Sequence, residues 1–127
     1  MFKIGGIILK DSKMLVVHKR GMGPELIIPG GLVEKGETHY QTLKRELKEE
    51  LRADLKSMEY FDSFQGKGVF EQTPLTIHTY VSKIEGEPTP DNEIDNMVWI
   101  DRDFKGYKLG PMLSDQIIPE MKKRGLF

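Results

Sequence analysis

Residues 29–53, PGGLVEKGETHYQTLKRELKEELRA, constrain this chain more than any other stretch. A glycine-rich entry leads into a segment carrying Glu37, Glu46, Glu49 and Glu50, with Arg45 among them. Carboxylates this dense repel one another when withdrawn from water unless cations neutralise them. Thr38 is expected to be a helix N-cap, with Gln41 completing a capping box. Tyr40, Leu43, Leu47 and Leu51 then recur at helical spacing and fall within an arc of about 80°. That stripe predicts a helix fastened to a sheet. Glu46 and Glu50 lie roughly 20–60° outside one edge of the stripe, and Glu49 further round, where the rim of a cleft would be. Glu46 makes an i, i+3 pair with Glu49 and an i, i+4 pair with Glu50. Oxygen ligands suit a hard cation, so Mg²⁺, or Mn²⁺ in its place, is expected rather than zinc. Such a cation neutralises charge and orients a phosphate, which points to chemistry on a phosphate ester or anhydride.

The rest of the chain reads as strands around that helix. Lys3 to Leu9 and Met14 to His18 predict a hairpin about the polar turn Asp11, Ser12 and Lys13. Gly21 to Pro24 forms a loop, and Leu26 to Ile28 is an apolar run stopped by Pro29, Gly30 and Gly31. Ile8, Val16, Val17, Ile27 and Ile28 are expected in the core. Leu55 to Phe64 and Leu75 to Lys83 predict longer strands joined by a connection from Gln65 to Thr73. Residues 85–91, EGEPTPD, read as a loop, and Met97 to Ile100 as a short strand containing the single Trp, Trp99. A last helix opens at Gly110 and Pro111, carries Met112, Leu113, Ile117, Ile118 and Met121, and is kinked or split by Pro119. Gly125 ends it. Strands and two helices without regular alternation predict an α/β mixed sheet with helices packed on it, in a single domain over 1–127.

The central stretch resembles the Nudix box, G-x5-E-x7-R-E-U-x-E-E-x-G-U, where U is a bulky aliphatic residue. Gly31 fills the first glycine, Glu37 the first glutamate, Arg45-Glu46-Leu47 and Glu49-Glu50 the centre, and every spacing holds. Pro29-Gly30 fits the approach to the box. Arg52 and Ala53 depart from the closing glycine and aliphatic, and a non-glycine residue in a left-handed turn there costs on the order of 1 kcal/mol. The resemblance implies an α/β/α sandwich and Mg²⁺-dependent hydrolysis of a nucleoside diphosphate linked to another group, with water attacking phosphorus. It implies that Gly30 offers its carbonyl oxygen to metal and that Glu46, Glu49 and Glu50 bind it. In the MutT-like branch a further glutamate stands six residues before a Trp, and Glu93 stands so before Trp99. One of Glu46, Glu49, Glu50 or Glu93 would be the general base. Glu37 and Arg45 would hold loop and helix in register.

A carboxylate-rich helix is usually a solvated face paired to basic residues, here Lys44, Lys48 and Arg52; the box spacing decides for metal. Lys19 and Arg20 end a strand leading towards the cleft, where they are expected to contact substrate phosphate. His18, His39 and His78 have no spacing that suggests a metal site. Trp99, Phe61, Phe64 and Tyr80 are expected mainly in the core. Ser114 or Asp115 stands near where MutT-like enzymes read the base, although neither is the expected Asn. A nucleoside triphosphate, cleaved to a monophosphate and pyrophosphate, is the expected substrate. ADP-ribose, a dinucleoside polyphosphate, or a non-catalytic nucleotide-binding role are the alternatives. Phe70 stands where some dinucleoside polyphosphate enzymes have Tyr.

Charge and composition narrow the setting. With 19 basic and 20 acidic residues the formal charge is −1, so neither a nucleic acid polymer nor an anionic membrane is an expected partner. The absence of cysteine excludes disulfides, zinc–thiolate sites and cysteine nucleophiles. No run approaches the ~20 apolar residues that span a bilayer, and residues 1–13 lack the features of a signal peptide. A cytoplasmic location is expected, and a homodimer is common enough to expect.

Overall fold

The computed structural model describes residues 1–67 and 73–127. Phe70, considered above as a subclass marker, lies outside the described residues. The strands are β1 (Phe2–Lys10), β2 (Lys13–Lys19), β3 (Gly30–Leu32), β4 (Asp54–Lys67), β5 (Pro74–Glu85) and β6 (Ile94–Ile100). Helix α1 spans His39–Leu51, and a π-helical turn, Leu113–Ile117, runs into α2, Ile118–Lys123. The sheet order is β4-β5-β1-β2-β6, with β3 also paired to β1. β1 runs parallel to β5 and antiparallel to β2 and β3, so the sheet is mixed. The expected hairpin exists but is brief. β1 and β2 pair only at Leu9↔Met14 and Lys10↔Lys13, and the two strands then diverge to separate neighbours.

Alternation along β1 and β2 sends apolar side chains to both faces. Ile4, Ile8, Leu15 and Val17 pack with Leu43, Leu47 and Leu51 of α1. Ile7, Met14 and Val16 pack with Met112, Leu113, Ile117 and Met121 on the other face. The sheet is thus the middle layer of an α/β/α sandwich, and both helices face it with fully buried residues.

Helix α1 begins as its sequence dictates. Thr38 caps it, the side chain accepting from the Gln41 N–H, and the Gln41 side chain accepts from the Thr38 N–H in return. Tyr40, expected on the buried stripe, is instead 44% exposed, with Lys44 over its ring. Thr42, on nearly the opposite face of the helix, is buried. On that face α1 packs on the loop, and Thr42 donates to the Glu37 carboxylate at 3.0 Å. Ile27 is only partly buried, because its backbone pairs with Val17 and leaves the side chain at the edge of the α1-side cluster. Gly30–Leu32, read as the stop after an apolar run, is itself a strand, and β6 begins three residues before the expected Met97.

The C-terminal segment breaks where Pro119 demands it. Proline has no N–H and its ring presses on the carbonyl four residues earlier. The chain widens into the π turn just before, and Pro119 falls in the first turn of α2. Arg124 then ties the end of α2 to β4, donating to the Phe61 carbonyl at 3.0 Å and pairing with Asp62.

Arg52 occupies the left-handed C-terminal position of α1, at φ 52° and ψ 28°. Its N–H reaches the Lys48 carbonyl and that of Ala53 reaches Leu47, the pattern usually closed by glycine. The strain, about 1 kcal/mol, is set against an exposed, solvent-screened ion pair from Arg52 to Asp91. Arg52→Gly is therefore expected to leave the melting temperature unchanged or raise it by up to about 4 °C. A fall of more than a few degrees in thermal unfolding would show that the ion pair outweighs the strain.

Candidate metal and phosphate site

Gly30 and Gly31 make the site through what they lack. Gly30 has φ +143°, and a Cβ there would collide with the Ile4 carbonyl oxygen across the β1–β3 ladder. A Cβ on Gly31 would stand 2.5 Å from Glu46 Oε1. Both positions must be bare for β3 to pass between β1 and the carboxylates of α1. The Gly30 N–H then donates to Glu50 Oε1 at 2.9 Å, fixing the helix side chain to the strand.

Arg45 braces the loop that leads into α1. Its Nε and Nη2 make a forked pair with both oxygens of Glu37, at 2.8 and 2.9 Å, and Nη2 also reaches the Leu32 carbonyl at 3.2 Å. Its Nη1 donates to Glu46 Oε1 at 2.8 Å. Glu37 accepts further from the Glu34 N–H at 2.9 Å. Arg45, with these hydrogen bonds, holds the Glu37 carboxyl down at about 2.

Glu46, Glu50 and Glu93 each bring a carboxylate oxygen within 4.8 Å of the other two. Glu50 is 1% exposed, and burial pushes its carboxyl up to about 8, against the opposing pull of the Gly30 N–H. Burial also raises Glu46, opposed by Arg45. Three carboxylates crowded at the edge of the core form an all-oxygen donor set that fits a hard divalent cation. Glu49 stands apart from this group. Its side chain is 51% exposed and meets Arg45 Nη1 at 3.6 Å.

Glu93 comes from a distant loop, and the end of α1 holds that loop in place. The Glu49 carbonyl accepts from Asn92 Nδ2 at 2.7 Å, the Glu50 carbonyl from the Asp91 N–H at 2.9 Å, and the Leu51 carbonyl from the Thr89 N–H at 2.8 Å. Helix-terminal carbonyls need such partners, and here satisfying them sets Glu93 beside Glu46 and Glu50. Asn92 takes φ 51° to do so. Asp91-Asn92 carries the turn chemistry that would have drawn attention to this clip, but its partners lie about forty residues earlier. Lys19 lies at the site, its Nζ 3.8 Å from Glu93. Arg20 contributes its N–H, which donates to the Glu93 carbonyl at 2.7 Å, while its side chain is exposed. An apolar cleft opens from Lys19, Gly30 and Gly31, walled by Ile28, Leu75, Ile77, Met112, Leu113 and Ile117. Phe61 and Phe64 are core; Tyr80 and Trp99 are partly buried. Ser114 bonds to its neighbour Asp115. His39 and His78 stack on one another, with centroids 5.0 Å apart.

A model of the NUDIX domain matches residues 3–106. The chain belongs to the Nudix family. It is accordingly an enzyme of the Nudix pyrophosphohydrolase type, and its fold is that of the MutT-like members. A MutT Nudix hydrolase from Burkholderia pseudomallei superimposes with a TM-score of 0.80 at 19% identity, over 94% of this chain and 95% of that one. A MutT structure from work on Aliivibrio salmonicida and Vibrio cholerae gives 0.77 at 23% identity, over 97% of each chain. A UDP-X diphosphatase gives 0.75 at 20% identity, over 86% of this chain and 54% of that one. Curated proteins give no match to the sequence.

Two outcomes follow for the Nudix box. Gly31→Ala is expected to push the Glu46 carboxylate aside and weaken Mn²⁺ binding while circular dichroism stays native; unchanged binding would show that Glu46 can move freely. Because the Glu37 carboxyl lies below its ordinary value of 4.5, its contribution to stability is complete above that pH and lost as pH falls towards about 2. Glu37→Gln is expected to flatten the acid limb of the stability curve in that window, as followed by denaturant unfolding.

Proposed function

We propose that this chain is a Mg²⁺-dependent hydrolase of a phosphoanhydride in a nucleotide, with a nucleoside triphosphate as its substrate and a monophosphate and pyrophosphate as its products. The observation that carries the reading is the meeting of Glu46, Glu50 and Glu93 within 4.8 Å, at the mouth of an apolar cleft. Glu46, Glu50 and Glu93, with Glu49 from the rim and the Gly30 carbonyl, would hold the cation, which Mn²⁺ could replace. A divalent cation there supplies charge neutralisation and draws electron density from a phosphate oxygen.

The chain's own residues account for the rest. Arg45 holds Glu46 in one orientation and keeps Glu37 on the loop. Glu50 is fixed by Gly30. One of Glu46, Glu49, Glu50 or Glu93 would take the proton from the attacking water. Lys19 faces the phosphates, and the apolar wall accepts the nucleoside. Arg20 serves through its backbone, with its side chain at the entrance. The likeness to a UDP-X diphosphatase makes nucleoside diphosphates linked to a second group, ADP-ribose among them, the second substrate class to be assayed. The domain over 1–127 acts on a small molecule, in the cytoplasm. Among the described residues, no helix is long and apolar enough to cross a membrane.

The test is a panel of nucleoside triphosphates, nucleotide sugars, ADP-ribose and dinucleoside polyphosphates, assayed with Mg²⁺ and with EDTA. Turnover is expected with Mg²⁺ and none with EDTA. Nucleotide binding without hydrolysis of any member would replace the reading with that of a binding module. Glu50→Gln and Glu46→Gln are each expected to lower kcat by about 100-fold or more with the fold intact. Rates near wild type in both would sink the assignment of the site.

A further inference from the structure

The β2–β6 ladder runs in register from Met14↔Ile100 to His18↔Asn96, then shifts so that Lys19 faces Ile94 and Asp95 is left over. A bulge of this kind bends a strand and re-aims its side chains. Here it turns Lys19 towards Glu93 and lets the Arg20 N–H reach the Glu93 carbonyl. Asp95 folds back over the bulge, with Oδ1 2.6 Å from His18 Nδ1. On the other side of the ring, Nε2 lies 2.6 Å from the Gly23 carbonyl oxygen. A carbonyl only accepts, and so does an ionised carboxylate. The ring satisfies both only with a proton on each nitrogen. A neutral ring would set a lone pair against an oxygen on one side, and placing the shared proton on Asp95 runs against the ordinary order of carboxyl and imidazole basicity.

We propose that His18 is a positioning residue whose doubly protonated ring clamps the β2–β6 bulge to the Gly21–Pro24 loop, and so holds Lys19 and Glu93 towards the Glu46–Glu50 pair. The charges around it agree. Asp95 faces the ring from β6, and Glu25 acts on it from the segment after the loop. Arg20, just after β2, acts on Asp95, and Lys108 meets Glu25 at 3.7 Å. The hydrogen bonds to Asp95 and Gly23 raise the His18 pKa above its ordinary value. The clamp is therefore complete below the ordinary histidine value and is lost as pH rises through the raised one.

The consequence for the site rests on the metal reading above; the charge state of His18 does not. Long-range ¹H–¹⁵N NMR of the full chain, followed through a pH titration, is expected to show both His18 nitrogens still protonated at the pH where an ordinary histidine is half deprotonated, with Asp95→Asn lowering the midpoint. A singly protonated His18 overturns the proposal. Mn²⁺ titration followed by EPR reads the effect on the site. Below the His18 midpoint, His18→Gln and Asp95→Asn are expected to weaken Mn²⁺ binding about tenfold. That gap should close as pH rises through the midpoint, because the wild-type protein then loses the same clamp. A gap that is absent or independent of pH, in variants with native circular dichroism, overturns the proposal. If His18→Gln does not fold, Asp95→Asn carries the comparison alone. A wild-type protein that binds no Mn²⁺ refutes the metal reading, and the NMR result then decides the clamp by itself.

Discussion

One guanidinium organises the acidic half of this molecule. Arg45 meets Glu37, Glu46, Glu49 and Glu34, and also the Leu32 carbonyl. No arrangement of the loop and α1 would be stable with those carboxylates converging and no cation between them. Because the guanidinium is planar and always charged, it gives each partner a fixed direction as well as a countercharge. Its fork to Glu37 ties down the loop after β3, and its third nitrogen sets the rotamer of Glu46. The Nudix box therefore has a bracing half, Glu37 and Arg45, and a half, Glu46 and Glu50, that meets Glu93.

The half beside Glu93 depends on how the backbone is arranged around it. Glu50 is buried against the strand that donates to it, and a carboxyl raised by burial is the kind of perturbation found at functional sites. The glycines at 30 and 31 permit that approach, and the loop before Glu93 closes the remaining side by satisfying the last carbonyls of α1. Three segments far apart in the chain thus meet through backbone hydrogen bonds, which place the carboxylates without relying on long, mobile side chains.

Much of this was legible beforehand, for local reasons. The Thr38–Gln41 capping box, the Leu43–Leu47–Leu51 stripe and the break at Pro119 all depend on residues within a turn or two of each other. The misreadings concern contacts outside one element. Tyr40 stands in the first turn of α1, with Lys44 over its ring rather than the sheet beneath it. The loop carrying Glu37 gives α1 a second packing surface, which buries Thr42. Gly30–Leu32 looked like punctuation because a strand of two glycines and a leucine has no periodicity. Its status comes from β1, across the ladder. Glu49 already lies further round the helical wheel than Glu46 and Glu50, and its side chain accordingly stands beside solvent.

By itself, the sequence determined the spacing of the box, the start of α1 and its Leu43–Leu47–Leu51 stripe. These follow from periodicity and short-range capping, which act within one element; the three-layer fold was implied by the resemblance to the Nudix box. Only the tertiary structure decided which carboxylates converge, that Glu93 joins them through the end of α1, and that His18 and Asp95 lock the bulge beside them. Those contacts join residues forty to nearly eighty positions apart. No local pattern specifies such a pairing, because it depends on the order of strands in the sheet.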